Sequence, residues 1–209
     1  YAGNLHQYQD IELLFQSFRI VASQEPETNL VVLTHNDPTE SQLRLDKLGL
    51  QDRVFFKKGI TMEEEWRWMT HARALALPRT RCSGYPIKLL NYMAVGRPIV
   101  VSADSARNLT HGENAFVVLN SKPENFAMGL LTTLRSERLS RTIANGAART
   151  FQKEMNPETL LERVEVIYEK LSPRQKNDFL GETEERIPNN SSCLRARKTC
   201  LLPTSYHSD

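Results

Sequence analysis

One stretch of the sequence, residues 77–102, holds the side chains whose types and spacing best suit chemistry. Lys88 carries a flexible ammonium group, which is a good partner for phosphate. Arg79 and Arg81 carry guanidinium groups in the preceding loop and could add positive charge, although surface arginines fit better. Asn91 follows Lys88 on the same helix face, and its amide oxygen accepts hydrogen bonds from hydroxyls as a carboxylate does. Ser83 offers a hydroxyl without charge. These residues could bind a phosphorylated, hydroxyl-bearing ligand. Alternatively, they are solvated surface side chains that bind no ligand.

A strand, a loop and a short helix are predicted to position these side chains. Short apolar runs at 74–77 and 99–101 are bounded by breakers, as in strands covered on both faces. The helix between them is indicated by apolar residues at helical spacing: Ile87, Leu90, Met93 and Ala94. Gly96 and Pro98 end it. The loop before the helix consists of Gly84, Tyr85, Pro86 and Ile87. Its backbone N–H groups could bind a diphosphate or a sugar, whereas spacing alone favours an ordinary turn.

The rest of the sequence alternates strands with helices, which predicts an α/β fold, a Rossmann-like parallel sheet with helices on both faces. Capping boxes, Thr39 with Gln42 and Thr61 with Glu64, are expected to begin two of the helices. Gly59 and Ile60 follow a strand predicted at 53–56, with Lys57 and Lys58 in the loop. Because parallel sheets bind ligands beyond their carboxyl ends, these two residues could line a base pocket, although a bare turn fits nearly as well.

Two segments are expected along the chain. Residues 1–172 predict one Rossmann-like domain, whose last helix carries an apolar face formed by Leu160, Leu161, Val164, Tyr168 and Leu171. Residues 173–209 are polar, without a sustained apolar period, and predict a flexible tail.

Composition narrows the function classes. The net charge of +2 on 209 residues gives no strong field, so a nucleic-acid partner is not expected. The three cysteines fit neither a zinc site nor a disulfide framework, and no histidine pair has metal-ligand spacing, so we expect no metal and a reducing, cytoplasmic location. The absence of a G-x-G-x-x-G fingerprint and of a Walker A sequence argues against a nicotinamide enzyme and a P-loop NTPase.

The same stretch resembles the donor-site signature of family-four glycosyltransferases of the GT-B class. The matching residues are Gly84, Tyr85, Pro86, Met93, Ala94, Gly96 and Pro98. Ser83 and Asn91 occupy the positions of the family's two Glu residues. The Gly3-Asn4-Leu5 opening is similar to the family's first glycine loop, in which Asn4 and Gln9 stand where many members have an Arg and a Lys. Four charged donor-site positions are therefore neutral in this sequence.

The resemblance implies the C-terminal, donor-binding half of a retaining glycosyltransferase. Such an enzyme moves a sugar from a nucleotide diphosphate sugar to an acceptor hydroxyl, here unknown. It implies no cofactor beyond the donor substrate, an acceptor-binding N-terminal domain before Tyr1, and work at the cytoplasmic membrane face. Gly3, Asn4, Gln9, Lys88 and Asn91 would then bind the donor, and Ser83 would be the catalytic candidate. The alternative is a non-catalytic Rossmann-like relative that acts as a binding or interaction module.

Overall fold

The computed structural model describes residues 1–171, so the tail predicted at 173–209 lies outside the described residues. The strands are β1 (Leu30–Thr34), β2 (Val54–Lys58), β3 (Leu75–Leu77), β4 (Ile99–Ser102) and β5 (Phe116–Val118). The helices are α1 (Ile11–Gln24), α2 (Thr39–Leu48), α3 (Met62–His71), α4 (Ile87–Val95), α5 (Ala103–Ala106), α6 (Pro123–Arg135), α7 (Glu137–Thr150) and α8 (Pro157–Leu171). A 3₁₀ turn at Gln7–Gln9 precedes α1, and a π-helical turn at Phe151–Met155 precedes α8.

All of the paired strands run parallel, which confirms the predicted α/β class. β1 pairs with β2, and β3, β4 and β5 form a second sheet in that order. The chain start joins the first sheet, because Ala2 forms a parallel bridge with Leu33. Since helices connect parallel strands, the carboxyl ends of β1 to β5 all meet at one edge.

Helices cover the strands on two sides, with a separate apolar cluster on each side. One cluster is formed around Leu14 and Phe15 of α1 and Phe126 of α6. The other is formed around Tyr92 and Met93 of α4, both fully buried. Burial of an apolar side chain of this size stabilises the fold by roughly 1.5–3 kcal/mol. The second cluster therefore fixes α4, and with it the residues at its first turn, against the strands.

Several local signals are confirmed. The Thr61 hydroxyl accepts from the Glu64 N–H at 3.2 Å, and the Glu64 carboxylate accepts from the Thr61 N–H at 2.8 Å, so the second capping box forms. Gly96 ends α4 in the left-handed region with φ 66°. Pro86 precedes α4 as its N-cap, and the Leu89 N–H donates to the Pro86 carbonyl at 2.8 Å.

Three local predictions were wrong. Thr39 is the first residue of α2 rather than its cap, because its hydroxyl donates to the Asp37 carboxylate at 3.0 Å instead of capping the helix. Lys57 and Lys58 belong to β2, because pairing with β1 extends that strand. The short helix α5 was not predicted.

Helix α8 forms, but its apolar side chains are exposed in the described part of the chain. Leu161 is 61% exposed and Val164 is 46% exposed. Internal contacts divide the chain after Val164, and α8 is the described element that crosses this point. Among residues 1–171, none of the helices is both long and apolar enough to cross a membrane.

Candidate functional site

The carboxyl edge of the strands brings together four segments that lie far apart in sequence. The glycine loop from Gly3 to Gln9 follows the Ala2 bridge, and Gly59 with Ile60 follows β2. The loop 78–86 follows β3, and α4 starts directly after it. This is the edge at which open parallel sheets bind ligands. The first turn of α4 adds unpaired backbone N–H groups, which favour an anion.

Lys88 reaches from α4 to the glycine loop. Its Nζ atom donates to the Gln9 Oε1 atom and to the Tyr1 hydroxyl, each at 2.8 Å. The ammonium also lies 4.4 Å from the centre of the Tyr1 ring. Gly3 leaves room for it, since a Cβ atom at Gly3 would lie 2.3 Å from the Lys88 nitrogen. The cation therefore occupies the space beside the loop that the resemblance associates with a diphosphate.

Burial makes this ammonium easier to deprotonate than a surface lysine. Desolvation and the nearby positive charge of Arg79 lower the pKa of Lys88 from 10.5 to about 7. The ion pairs of the described part of the chain include neither Lys88 nor Arg79. A bound anion would offset the repulsion between these two cations, which the Glu65 carboxylate offsets only in part.

Arg79, rather than Arg81, is the arginine held close to the glycine loop. Its guanidinium carbon lies 5.0 Å from the centre of the Tyr8 ring, and its Nε atom donates to the Arg81 carbonyl at 2.7 Å. The Tyr8 hydroxyl in turn accepts from the Asn4 side-chain amide at 2.7 Å. The Arg81 side chain is exposed. Asn4 thus positions an aromatic ring under a cation instead of contributing a charge itself.

Asp10 fastens the glycine loop to the loop after β3. Its carboxylate accepts from both the N–H and the hydroxyl of Thr80, each at 2.6 Å. Asp10 adopts the left-handed conformation with φ 52°, which is uncommon for a residue other than glycine. The two hydrogen bonds offset this backbone strain and hold Gln9 and Arg79 in fixed positions relative to each other.

The loop between Cys82 and Pro86 is held from outside by α5 and the segment after it. Arg107 donates to the carbonyls of Cys82 and Gly84, the latter at 2.6 Å. The Tyr85 hydroxyl donates to the Asn108 side chain at 2.9 Å, and burial raises the pKa of this tyrosine. The carbonyl groups of Cys82 and Gly84 are thus occupied, so the backbone N–H groups are the ones this loop could offer to an anion.

The two residues at the family's Glu positions face solvent. Ser83 and Asn91 are both exposed, so neither side chain is committed to the interior. Lys88, one turn earlier on the same helix, is half-buried. Gly59 is exposed with φ 68°, and Ile60 is partly buried against the second apolar cluster.

Sequence reasoning did not identify three residues that shape this site: Tyr1, Tyr8 and Asp10. The sequence shows no signal for Tyr1 and Tyr8, since a tyrosine beside a glycine loop is common. Asp10 had a detectable signal, because Asp and Asn are enriched among residues with positive φ. Within residues 1–171, no group of three histidine, cysteine or acidic side chains is arranged to hold a metal ion.

Comparison with known proteins agrees with this geometry. The family model described as "Glycosyl transferases group 1" matches residues 1–136. No curated protein matches the chain.

Solved structures share the fold at low sequence identity. HepE of Anabaena, in complex with UDP, matches with a TM-score of 0.70 and 16% identity, covering 81% of this chain and 48% of HepE. Sucrose-phosphate synthase of Thermosynechococcus elongatus matches with a TM-score of 0.70 and 19% identity, over 81% and 44% of the two chains. The chain thus spans about half the length of these proteins.

An isolated domain matches over most of its length. The C-terminal domain of LpcC, a group 1 glycosyl transferase of Francisella tularensis, matches with a TM-score of 0.67 and 15% identity, over 75% of this chain and 87% of that domain. The family model covers well over half of the sequence, and its match includes the glycine loop and the loop before α4. The chain belongs to the glycosyl transferases group 1 family.

Proposed function

We propose that this chain is the donor-binding half of a retaining glycosyltransferase and binds a nucleotide diphosphate sugar at the carboxyl edge of its strands. The observation that supports this most is the Lys88 ammonium. It is largely withdrawn from solvent, lies within 2.8 Å of the Gln9 amide oxygen, and forms no ion pair within the described chain; the more distant Glu65 carboxylate offsets the repulsion from Arg79 only in part. A cation in this state favours binding of an anion such as a diphosphate.

In this proposal Lys88 replaces the cations that the family carries at the Asn4 and Gln9 positions. The diphosphate lies between Lys88, Arg79 and the first turn of α4. As the bond between the anomeric carbon and the diphosphate oxygen breaks, these positive groups stabilise the negative charge of the leaving group. The acceptor hydroxyl oxygen forms the new bond to the anomeric carbon, with retention of configuration, and its proton passes to the leaving diphosphate oxygen. No metal is needed for this stabilisation.

The remaining donor contacts follow from the exposed residues. The Asn91 amide oxygen accepts hydrogen bonds from the ribose hydroxyls, and Gly59 with Ile60 borders the base. Ser83 lies on the sugar side, with Gly84, Tyr85, Pro86 and Ile87 forming the backbone cradle. Arg81 contributes a mobile surface cation at the entrance. The acceptor is bound by a second, N-terminal domain, and the complete enzyme works in the cytoplasm at the membrane face.

Solved complexes of a structural relative support a UDP-sugar donor. HepE of Anabaena has been solved with UDP and with UDP-glucose. We propose that the present chain binds a donor of the same chemical class.

Calorimetric titration of the chain with UDP, GDP and ADP tests the proposal. We expect saturable binding of one nucleotide, weakened by Asn91→Ala and unaffected by the control Asn145→Ala, an exposed α7 residue far from the site in sequence. A folded chain that binds none of the three nucleotides would refute the donor-site assignment.

A non-catalytic relative is the second candidate, favoured by the uncharged Ser83 and Asn91. It predicts that nucleotide binding appears or strengthens only after charged residues are restored, as in Gln9→Lys. The donor-binding proposal predicts binding by the unmodified chain.

A further inference from the structure

Arg107 lies beside the loop that is proposed to hold the donor sugar. The residue directly follows α5, and its Nη2 atom donates to the carbonyls of Cys82 and Gly84, the latter at 2.6 Å. These two carbonyls flank Ser83, so the guanidinium is fixed next to the Ser83 position. Arg107 is nevertheless an exposed residue, so a ligand can reach its side chain.

The backbone of Arg107 is strained. It has φ 54° and ψ −113°, a conformation that residues other than glycine rarely adopt. Asp10 is the other non-glycine residue with positive φ in the described chain, and it holds the same loop through Thr80. Strain of this kind persists where surrounding contacts maintain it, and it clusters at functional sites. Both strained residues of the described chain therefore act on the loop between β3 and α4.

The positive charge of Arg107 has no partner of opposite charge within the described chain. Its hydrogen bonds to residues 1–171 come from Nη2 alone, so the N–H groups of Nε and Nη1 are available to a ligand. The ion pairs among the same residues include none of the three arginines around this loop, Arg79, Arg81 and Arg107. Such a group of cations favours the binding of an anion.

The field around the loop is positive although two carboxylates lie nearby. Asp10 and Glu154 each accept hydrogen bonds from neighbouring residues, which engages their charge. The Cys82 thiol reports the balance. Burial raises its pKa, but hydrogen bonds, chiefly one with Arg107, and the charge of Arg79 outweigh burial, so the pKa of this thiol is lowered. The loop thus stabilises negative charge beside Ser83.

A nucleotide diphosphate does not account for Arg107. The diphosphate proposed above lies between Lys88, Arg79 and the first turn of α4, which already offer it positive charge. Arg107 lies instead beside Ser83, on the sugar side of the proposed site. Ser83 stands where the family that this sequence resembles has a Glu, and a Glu there would repel an anionic sugar. The neutral Ser83 removes that repulsion next to an available guanidinium.

We propose that the donor sugar carries a carboxylate, as in a nucleotide-linked uronic acid, and that Arg107 binds this carboxylate. A carboxylate oxygen accepts a charge-assisted hydrogen bond from one of the available N–H groups of the guanidinium. The exposed Arg81 adds a second positive charge to the same loop. This assignment rests on the donor site proposed above and names its class of sugar.

Calorimetric titration with UDP, UDP-glucose and UDP-glucuronate tests the proposal. The two sugars differ only at C6, where a carboxylate replaces a hydroxymethyl group, so the ratio of their dissociation constants isolates the effect of that group. We expect UDP-glucuronate to bind about 5- to 20-fold more tightly than UDP-glucose, because the added hydrogen bond is charge-assisted but partly screened by solvent. The same comparison with UDP-galactose and UDP-galacturonate covers the C4 epimers.

Three variants, each shown to be folded by circular dichroism, assign the preference to Arg107. Arg107→Met should abolish the preference for the acidic sugar, and Arg107→Lys should retain part of it because the positive charge remains. Arg19→Met is the matched control, since it removes the same charge from an exposed residue of α1 and should retain the full preference.

Ser83→Glu tests the same charge from the other side of the site. The added carboxylate should weaken the binding of UDP-glucuronate more than that of UDP-glucose. If Arg107 only holds the loop, Arg107→Met would weaken both sugars equally and leave their ratio unchanged, which would overturn the proposal. Equal affinities for the neutral and the acidic sugar in both pairs would also overturn it, while UDP binding would still support the donor site. A folded chain that binds no UDP would refute the donor site and this inference together.

Discussion

Replacing Lys88 by methionine isolates the group on which the proposed donor site depends. Methionine keeps an unbranched side chain of similar length but removes the charge and the three donors. The Gln9 amide oxygen and the Tyr1 hydroxyl each lose one hydrogen bond of 2.8 Å. Gln9 and Tyr1 are both buried, so the loss of these bonds should also destabilise the fold by about 1–3 kcal/mol, and circular dichroism must first show that the variant is folded.

The magnitude follows from the contact that a diphosphate would lose. A hydrogen bond to a charged group contributes about 1.5–3 kcal/mol, and each 1.4 kcal/mol changes a dissociation constant about tenfold. Lys88→Met should therefore weaken UDP binding by about 10- to 150-fold. Lys47→Met, an exposed lysine in the last turn of α2, is the matched control and should leave UDP affinity unchanged.

The pH dependence gives a second, independent signature. The pKa of Lys88 is lowered to about 7 by burial and by Arg79, so the unliganded side chain loses its charge above that pH. Because a diphosphate binds the ammonium form, UDP affinity should fall by up to about tenfold per pH unit above 7. Below about pH 6 the terminal phosphate gains a proton, which also weakens binding, so the affinity should be highest near neutrality.

Calorimetric titrations of the wild type, Lys88→Met and Lys47→Met between pH 6 and 9 would measure both effects. The Lys88→Met profile should lose the decline above pH 7. The reasoning is wrong if Lys88→Met binds UDP as tightly as Lys47→Met, or if its affinity declines with pH as steeply as that of the wild type.

Four further predictions concern stability and the geometry of the site. Because the pKa of Lys88 is lowered by folding, the unfolded chain binds more protons than the folded chain between pH 7 and about 10. In urea denaturation, the free energy of unfolding of the wild type should therefore rise with pH relative to that of Lys88→Met. Gly3→Ala places a Cβ atom 2.3 Å from the Lys88 nitrogen at φ 143°, so it should displace the ammonium and weaken UDP binding in the same titration; unchanged affinity would contradict this. Tyr92→Phe leaves the buried Ala2 N–H without its partner and should lower the free energy of unfolding in urea by about 1–3 kcal/mol. Tyr85→Phe removes a hydroxyl whose hydrogen bond is exposed and should lower it by less. Gly146→Ala places a Cβ atom 2.0 Å from the Glu113 carbonyl oxygen and should cost about 1–3 kcal/mol or more by thermal denaturation, against little change for the exposed neighbour Asn145→Ala.

The order of strands and helices could be read from the sequence because its signals are local. Breakers bound the apolar runs of β3 and β4, and helical spacing marks α4 between them. The Thr61–Glu64 capping box needs only residues within one turn, and it forms as predicted. Thr39 shows how such a signal fails, because a neighbouring acidic residue, Asp37, competes for the same hydroxyl.

The composition of the candidate site could be predicted only in part. The resemblance pointed to the glycine loop and the loop before α4, but it treated Gln9 and Asn4 simply as lost charges. In the structure Gln9 accepts a hydrogen bond from Lys88, and Asn4 orients Tyr8 beneath Arg79. Which arginine approaches the site depends on the path of the loop after β3, and that path is set by Asp10.

By itself the sequence determined the α/β class, the donor-loop signature and the neutral residues at Ser83 and Asn91, because residue types and short spacings carry that information. Only the tertiary structure decided that Lys88 meets Gln9, residues separated by 79 positions. It also decided that Lys88 is desolvated while Asn91 on the same helix stays in water. The physical reason is that both outcomes depend on how the ends of separate parallel strands converge, and this convergence is fixed by packing between distant segments.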